Sequence, residues 1–156
     1  MGDNGDKWNS TKGVKTVLIG KHTNTLDLKG RVIVPAAFRY DLDDKFILTK
    51  GIEQCLYIYP KEEWLVLVEK LKKDMPSSKK SNREARKFFS SNAVECEVDK
   101  QGRILIPQHL REYATLDKEL LFIGDLNKVE IWNPEKYEEC DAEMVGNLLE
   151  EMNIDF

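Results

Sequence analysis

The sequence predicts an α+β fold, mainly β, in which one chain carries two copies of the same unit with helices at the periphery. A thirteen-residue stretch at 27–39 recurs at 99–111, an offset of 72 residues, with five identical positions and no gap. Short apolar runs bounded by turn residues indicate strands, and longer segments with helical spacing follow each copy. An internal repeat of this kind indicates that the architecture is built by duplication.

Each repeat predicts a tight turn, a short buried strand and a short helix. An aspartate can accept the turn amides, and the glycine three residues later can take the positive φ that the turn exit requires. The proline ends the strand and suits the first position of a helix, where its missing N–H costs nothing. The predicted turn and structural residues are Asp27, Gly30, Pro35, Asp99, Gly102 and Pro107.

The first copy predicts strands and helices in a regular order. The first strand is expected to begin with residues 17–19, and residues 23–26 lead into the first turn. Further strands are expected at 32–34, 46–49 and 55–59, with a short helix at 35–42 that uses Phe38 as a core contact. A longer helix follows Pro60, with an apolar stripe that we interpret as core packing; the stripe consists of Trp64, Leu67, Val68 and Leu71.

A basic joint connects the two copies. Residues 69–87 hold eight bases and three acids, a net charge of +5. The segment 74–78 should break the preceding helix, and Ser81 with Glu84 has the spacing of a capping box that starts another one. This joint is expected to be a solvated helical face, with DNA contact as the alternative.

The second copy repeats the plan and ends in an acidic helix. Residues 93–98 lead into the second turn, 104–106 form a strand and 107–114 a short helix. Strands at 120–123 and 129–132 are expected to form a hairpin. The predicted organisation is a disordered extension at 1–16, repeats at 17–74 and 90–150, a helical joint at 75–89 and a tail at 151–156.

Composition excludes several classes of protein. No apolar run approaches the length of a membrane span, and the polar N-terminus lacks an apolar signal segment. Three cysteines without metal-ligand spacing predict reduced packing residues, and the two histidines have no close ligand partner. The absence of a phosphate loop, a nucleophile elbow or a metal cluster predicts a protein that is not an enzyme, with no cofactor, metal or small-molecule substrate.

The charge distribution is more informative than the net charge of −4. Residues 134–156 carry −7, so the rest of the chain carries +3, and residues 21–39 alone carry +3. A locally positive surface is compatible with DNA binding. The candidate DNA-binding residues are Lys21, Lys29, Arg31, Arg39, Lys100, Arg103 and Arg111.

Two interpretations of Arg31 and Arg103 remain open from the residues alone. A guanidinium just past a tight turn can reach base edges or phosphates, and its planar fork can be bidentate to guanine. Alternatively, each arginine pairs with Asp27 or Asp99 and holds the turn. The second copy is electrically weaker, because residues 95–111 have no net charge.

Both repeats resemble the D-x-x-G-R signature of the MraZ family, one of the AbrB/MazE-like proteins, over about residues 17 to 150. The resemblance implies a swapped-hairpin, double-split β-barrel completed by the two repeats of one chain. It also implies a cytoplasmic, nucleoid-associated transcriptional regulator that binds double-stranded DNA. Its targets would be repeated boxes upstream of the division and cell-wall gene cluster, and its form a ring-like homo-oligomer.

A protein-binding scaffold or antitoxin-like module is the alternative function. The acidic final helix, expected at 134–152, would then be the docking surface. The duplication weighs against this alternative, because antitoxins of this fold usually join one copy to a disordered toxin-binding tail.

Overall fold

The structure is a computed structural model that describes residues 16–155. Within these residues lie eight strands and five helices. The strands are β1 (Lys21–Thr25), β2 (Arg31–Ile33), β3 (Lys45–Lys50), β4 (Leu56–Pro60), β5 (Val94–Glu97), β6 (Arg103–Leu105), β7 (Glu119–Gly124) and β8 (Val129–Trp132). The helices are α1 (Ala36–Leu42), α2 (Lys61–Asp74), α3 (Lys80–Ser90), α4 (Gln108–Tyr113) and α5 (Ala142–Glu151).

Strands from both copies are interleaved in a six-stranded antiparallel sheet with the order β1-β7-β8-β4-β3-β5. The first strand of each copy pairs with a strand of the other copy, β1 with β7 and β5 with β3. The two ladders have matching registers: His22 lies opposite Phe122, and Val94 lies opposite Leu48. The copies are therefore joined by backbone hydrogen bonds as well as by packing.

The remaining strands, β2 and β6, form a separate two-stranded ribbon. Val32 lies opposite Ile104. On one side of this pair Arg31 lies opposite Leu105, and on the other side the equivalent Arg103 lies opposite the equivalent Ile33. Reciprocal backbone bonds extend the pairing: the Val34 amide donates to Gly102 O and the Ile106 amide to Gly30 O, both at 2.9 Å. A local twofold axis thus passes through the middle of the ribbon.

The prediction of a closed barrel is wrong for the described residues, although the α+β class with a core built mainly from sheets holds. β1 and β5 are the outer strands of the larger sheet, and no backbone ladder joins the ribbon to it within the described residues. The physical reason is the pair of Asp-x-x-Gly turns. Each turn ends its preceding ladder, at Thr25 and at Glu97, and directs the chain into a three-residue strand that pairs only with its counterpart.

The core lies between the larger sheet, the ribbon and the two short helices. Phe38 of α1 and Leu110 of α4 are fully buried, as the sequence predicts for Phe38. Strand alternation places Phe46, Leu48 and Phe122 on the same inner side of the sheet. The core therefore receives matching contributions from the two copies.

Several local predictions need correction. The segment 17–19 is not a strand; only Leu18 forms an isolated bridge, to Leu126, because Gly20 at φ +99° interrupts the chain before β1. The capping box is wrong, because α3 begins at Lys80 and no side chain caps it, which leaves Ser81 inside the first turn. The acidic helix is also shorter than predicted.

The outer helices contribute less to the core than their apolar stripes suggest. No residue of α2 is fully buried, so its stripe of Trp64, Leu67, Val68 and Leu71 is only half-buried packing. α5 begins after Asp141, whose carboxylate accepts a hydrogen bond from the Met144 amide at 2.9 Å. Its apolar stripe of Met144, Leu148 and Met152 is exposed.

The predicted extension at 1–16 falls outside the described residues except for Thr16, and so does Phe156 of the predicted tail. The other domain boundaries remain predictions. Among the described residues, no helix combines the length and the apolar character needed to cross a membrane.

Candidate nucleic-acid interface

The two Asp-x-x-Gly turns have nearly the same geometry. In the first, the Asp27 carboxylate accepts the amides of Lys29 and Arg31 at 2.9 Å each. In the second, the Asp99 carboxylate accepts the amides of Gln101 and Arg103 at 2.9 and 2.8 Å. These bonds satisfy amides that a tight turn leaves without backbone partners. Both carboxylates therefore accept amides within their own turns.

Each aspartate also holds the arginine that follows the turn. The Arg31 Nε donates to Asp27 Oδ2 at 2.8 Å, and the Arg103 Nε donates to Asp99 Oδ2 at 2.9 Å. The pKa of each aspartate lies below its ordinary value. The largest cause is the backbone hydrogen bond from the arginine amide, and the guanidinium lowers the pKa further by a smaller amount. The pairing fixes the orientation of each guanidinium and uses only one of its five N–H donors.

The ribbon presents these arginines on its outward face, which we define as Arg31, Ile33, Arg103 and Leu105. Arg31 lies opposite Leu105, and Ile33 lies opposite Arg103, so the two guanidinium groups occupy opposite corners. The intervening Val32 and Ile104 point inward and are buried. Ile33 and Leu105 are about half exposed, at 51% and 57%. The outward face thus combines two oriented cations with two uncovered apolar side chains.

The predicted lysines differ in position. Lys29 and Lys100 lie exposed in the two turns that flank the ribbon. Lys21 lies at the other end of β1 and forms an ion pair with Glu139 of the C-terminal segment. That hydrogen bond, with its Coulombic attraction, raises the pKa of Lys21. The structure therefore brings two of the three lysines to the ribbon.

Arg39 and Arg111 pack under the turn of the opposite copy. A Cβ on Gly30 would lie 2.9 Å from the Arg111 Cζ, and a Cβ on Gly102 would lie 2.8 Å from an Arg39 Nη. Both glycines have positive φ, +85° and +81°, so the turn needs glycine for its backbone and for this contact. The two arginines therefore join the copies, a packing role that the sequence does not predict.

The contacts of these two arginines are not equivalent. The Arg111 Nε donates to Ile106 O at 2.9 Å. The Arg39 Nε is buried and has no hydrogen-bond partner among the described residues. A buried donor without a partner carries a desolvation cost.

Three apolar residues, Ile33, Leu105 and Leu28, join the candidate contact residues although they are absent from the set predicted from sequence. Leu28 lies at the tip of the first turn and is fully exposed. The alternation of a strand around buried Val32 and Ile104 could have identified Ile33 and Leu105 as outward-facing. No signal in the sequence distinguishes Leu28 from a buried turn residue.

Other chemistry is not apparent in the part of the chain that the structure describes. Residues 16–155 contain no group of three or more side chains suited to hold a metal ion. Cys55 and Cys96 are buried, and burial raises the pKa of the Cys55 thiol to about 12 and that of Cys96 to about 11. Cys140 is exposed, so the prediction that all three cysteines are packing residues is wrong for this one.

Comparison with known proteins identifies close relatives. Residues 17–88 and 89–151 each match the family described as "MraZ protein, putative antitoxin-like". A protein named transcriptional regulator MraZ from Caldanaerobacter subterraneus is 54% identical over 123 residues, covering 79% of this chain and 85% of that protein. The proteins of the same name from Thermoanaerobacter pseudethanolicus and Clostridium tetani are 48% and 46% identical, and each match covers 88% of this chain and 100% of the relative.

Proposed function

Because this chain belongs to the MraZ family, we propose that it is a sequence-specific DNA-binding transcriptional regulator. The close relatives carry the name transcriptional regulator, over nearly their whole length. The chain's own residues support a binding function through one surface, the outward face of the ribbon.

The observation that carries the proposal is the shape and chemistry of that outward face. The major groove of B-DNA admits a two-stranded β-ribbon, whose outward side chains then reach base edges. Arg31 and Arg103 stand at opposite corners of such a ribbon, related by the local twofold axis. Ile33 and Leu105 are exposed between them and suit apolar contact with a thymine methyl group.

The Asp–Arg pairs support DNA contact as well as turn stability. The aspartate binds Nε, so the terminal amino groups of Arg31 and Arg103 lie outside that bond. These are the groups that make bidentate contacts with guanine or phosphate. The two interpretations that the sequence leaves open are thus compatible: the carboxylate orients the guanidinium, and DNA receives its outer edge.

The two turns are the parts of the surface expected to contact phosphate. Lys29 and Lys100 flank the ribbon in exposed positions. Binding despite a net charge of −4 is possible because phosphate contacts respond to the local field. We include Arg39, Arg111 and Lys21 in the proposed set only as indirect contributors, since the first two pack between the copies and Lys21 is paired with Glu139.

We further propose that the target is a set of repeated boxes upstream of the division and cell-wall gene cluster, and that the protein acts at the nucleoid as a ring-like homo-oligomer. These points rest on the family resemblance. Repetition of a weak site in each subunit would raise affinity for repeated boxes through effective concentration.

A gel shift tests the proposal. Purified protein is titrated onto DNA from just upstream of its own gene and onto a scrambled duplex of equal length, at several salt concentrations. We expect tighter binding to the upstream DNA, with affinity falling as salt rises. The double variant Arg31→Ala/Arg103→Ala should lose specific binding, whereas Lys136→Ala, at an exposed lysine in the segment after β8, should not. Equal binding to both duplexes would contradict sequence-specific regulation.

An antitoxin-like module is the second candidate. The family description contains that term, and α5 exposes an acidic surface with an apolar stripe. Capture of a small basic protein encoded beside this gene, together with no preference for the upstream DNA, would favour it.

A further inference from the structure

Leu28 is an exposed leucine at the tip of the first Asp-x-x-Gly turn. Its exposed fraction is 103%, the highest among the exposed large apolar residues of the described chain, where the next is Ile19 at 65%. The Gly30 amide closes the turn by donating to Asp27 O at 3.0 Å. Single exposed apolar residues are common on protein surfaces, so a contact at Leu28 needs a reason beyond exposure.

The second turn shows that the turn itself does not require an apolar residue at this position. Lys100 is the residue equivalent to Leu28, and the second turn is closed in the same way, with the Gly102 amide donating to Asp99 O at 3.0 Å. A lysine here keeps its charge in water, whereas a fully exposed leucine leaves its whole apolar area in water. The fold of the described chain therefore does not account for Leu28, and a partner outside the chain would.

The neighbours of Leu28 indicate the chemistry of that partner. Lys29 follows it directly, and the terminal amino groups of Arg31 lie outside the bond between Arg31 Nε and Asp27. Residues 21–39 carry a net charge of +3. An apolar protein surface laid over Leu28 would bury these charges without partners, which is unfavourable. DNA offers phosphates to the cations and, in its major groove, the C5 methyl group of thymine to the leucine.

We propose that Leu28 is a specificity-determining residue that contacts the methyl group of a thymine at one end of the DNA stretch covered by the ribbon. The inference rests on the DNA binding proposed above and adds a contact outside the outward face. Three residues span at most about 10 Å, and successive base pairs are about 3.4 Å apart. The thymine should therefore lie within about three base pairs of the stretch that the ribbon covers.

This contact gives the ribbon a direction on DNA. Arg31 and Arg103 are related by the local twofold axis, and the sugar–phosphate backbone of a duplex has local twofold symmetry of its own, so the paired arginines alone fit DNA in two orientations. Leu28 and Lys100 break the symmetry, since only the first turn has an apolar tip. The thymine is expected at the end of each box that faces the first turn.

Thymine-to-uracil scanning tests the contact, because uracil pairs as thymine does and lacks only the methyl group. The probe is the upstream DNA, trimmed to the shortest duplex that the wild-type protein binds more tightly than a scrambled duplex. Its thymines are replaced one at a time by deoxyuridine. In the wild type, one replacement should weaken binding about fourfold, the value of one buried methyl group. In Leu28→Ala the same replacement should have no effect.

Matched variants control for losses of another origin. Leu28→Met keeps an apolar tip and should keep the uracil effect. Leu126→Ala removes an exposed leucine from the turn between β7 and β8, at the opposite end of β1 from the first turn, and should keep it too. Ile33→Ala should keep the effect at this thymine, whatever contacts of its own it loses. The melting temperature of Leu28→Ala should equal that of the wild type, because the side chain is fully exposed.

The outcomes separate this inference from the proposed function. Uracil effects that are the same in the wild type and in Leu28→Ala at every thymine overturn the contact and leave sequence-specific binding standing. The absence of any thymine with such an effect, or its loss in Leu126→Ala as well, also overturns the contact. A wild-type protein that binds the upstream and scrambled duplexes equally overturns the proposed function and this inference with it.

Discussion

The two Asp-x-x-Gly turns have the same backbone and different surroundings. Their carboxylate–amide and carboxylate–guanidinium distances agree to within 0.1 Å. Yet residues 21–39 carry a net charge of +3, whereas residues 95–111 carry none. The duplication has therefore kept the geometry that builds the ribbon and let the electrostatics diverge. We infer that the copies share a structural role and differ in how strongly they bind DNA.

The helix arginines below the turns diverge as well. Arg111 is held by a hydrogen bond to Ile106 O, and Arg39 has no partner for its buried Nε among the described residues. One turn therefore rests on a fixed guanidinium and the other on a less restrained one. Substitutions in the two copies should consequently differ in their effects on stability and on DNA binding.

The largest effect should come from filling the glycine positions. Gly30→Val forces a β-branched residue to a φ of +85° and brings its Cβ within 2.9 Å of Arg111. Strain and steric overlap together should destabilise the fold by about 2–4 kcal/mol. Gly102→Val should cost less, because Arg39 can move more easily. Thermal or urea unfolding measures both variants.

A third glycine provides the control for this prediction. Gly146 lies within α5, and a Cβ at this position would have no neighbour within 4 Å. Gly146→Ala should be neutral or stabilising by up to about 1 kcal/mol, because alanine favours helix. Equal losses of stability in all three variants would show that the turns impose no special requirement.

The next effect concerns DNA. Arg31→Ala should weaken binding to the upstream DNA by about 1–3 kcal/mol, and Arg103→Ala by less, because Arg31 lies in the more positive copy. The check is a gel shift at two salt concentrations beside a melting curve. If Arg31→Ala melts early and loses DNA only in proportion to unfolding, Arg31 is a turn residue alone.

A smaller effect should separate the two helix arginines. Arg111→Met leaves the carbonyl of buried Ile106 without its donor and should cost about 1 kcal/mol. Arg39→Met removes a buried donor that has no partner among the described residues and should be nearly neutral. Urea denaturation of the two variants gives the comparison. A larger loss for Arg39→Met would mean that its Nε is satisfied in solution.

The smallest effect concerns Glu130 of β8, which lies opposite Tyr57 of β4. Burial is the main cause that raises the pKa of Glu130 above its ordinary value of 4.5. Folding therefore favours the protonated form, and stability falls as pH rises from 4.5 through the folded-state pKa. Glu130→Gln should keep the acceptor for the Trp132 indole, which lies 2.7 Å from Glu130 Oε1. At neutral pH it should gain up to about 0.5 kcal/mol after solvent screening.

The pH dependence checks the sign of that gain. The difference between Glu130→Gln and wild type should be present near pH 7, shrink as the pH falls toward 4.5, and be absent well below 4.5, where the wild-type carboxyl is neutral in both states. A difference that grows toward acid pH would contradict the assignment.

The sequence predicts the parts of this fold that depend on local chemistry. The spacing of Asp27 and Gly30 requires a tight turn, and the hairpin of β7 and β8 follows from two apolar runs around turn residues. Local rules fail where a neighbour in space decides. Ser81 and Glu84 have the spacing of a capping box, but α3 starts two residues too early for Ser81 to cap it.

Contacts between the copies account for most of what the sequence could not supply. Nothing in the sequence places Arg111 under Gly30 or Arg39 under Gly102, because each contact crosses the duplication. The sequence also does not show that β1 and β5 are edge strands of the larger sheet, because this depends on where each turn ends its ladder. The arginines of the candidate site were predicted from the motif. The exposure of Ile33 and Leu105 was not predicted, although strand alternation around Val32 and Ile104 could have indicated it.

Photo-crosslinking from the ribbon tests the central claim most directly. Ile33 and Leu105 are replaced one at a time by benzoylphenylalanine and irradiated with labelled upstream DNA, with Ile52 and Leu126 as comparably exposed control positions. We predict that both ribbon positions crosslink to the DNA and that the control positions do not. Crosslinking from the control positions with none from the ribbon would contradict DNA binding through the outward face.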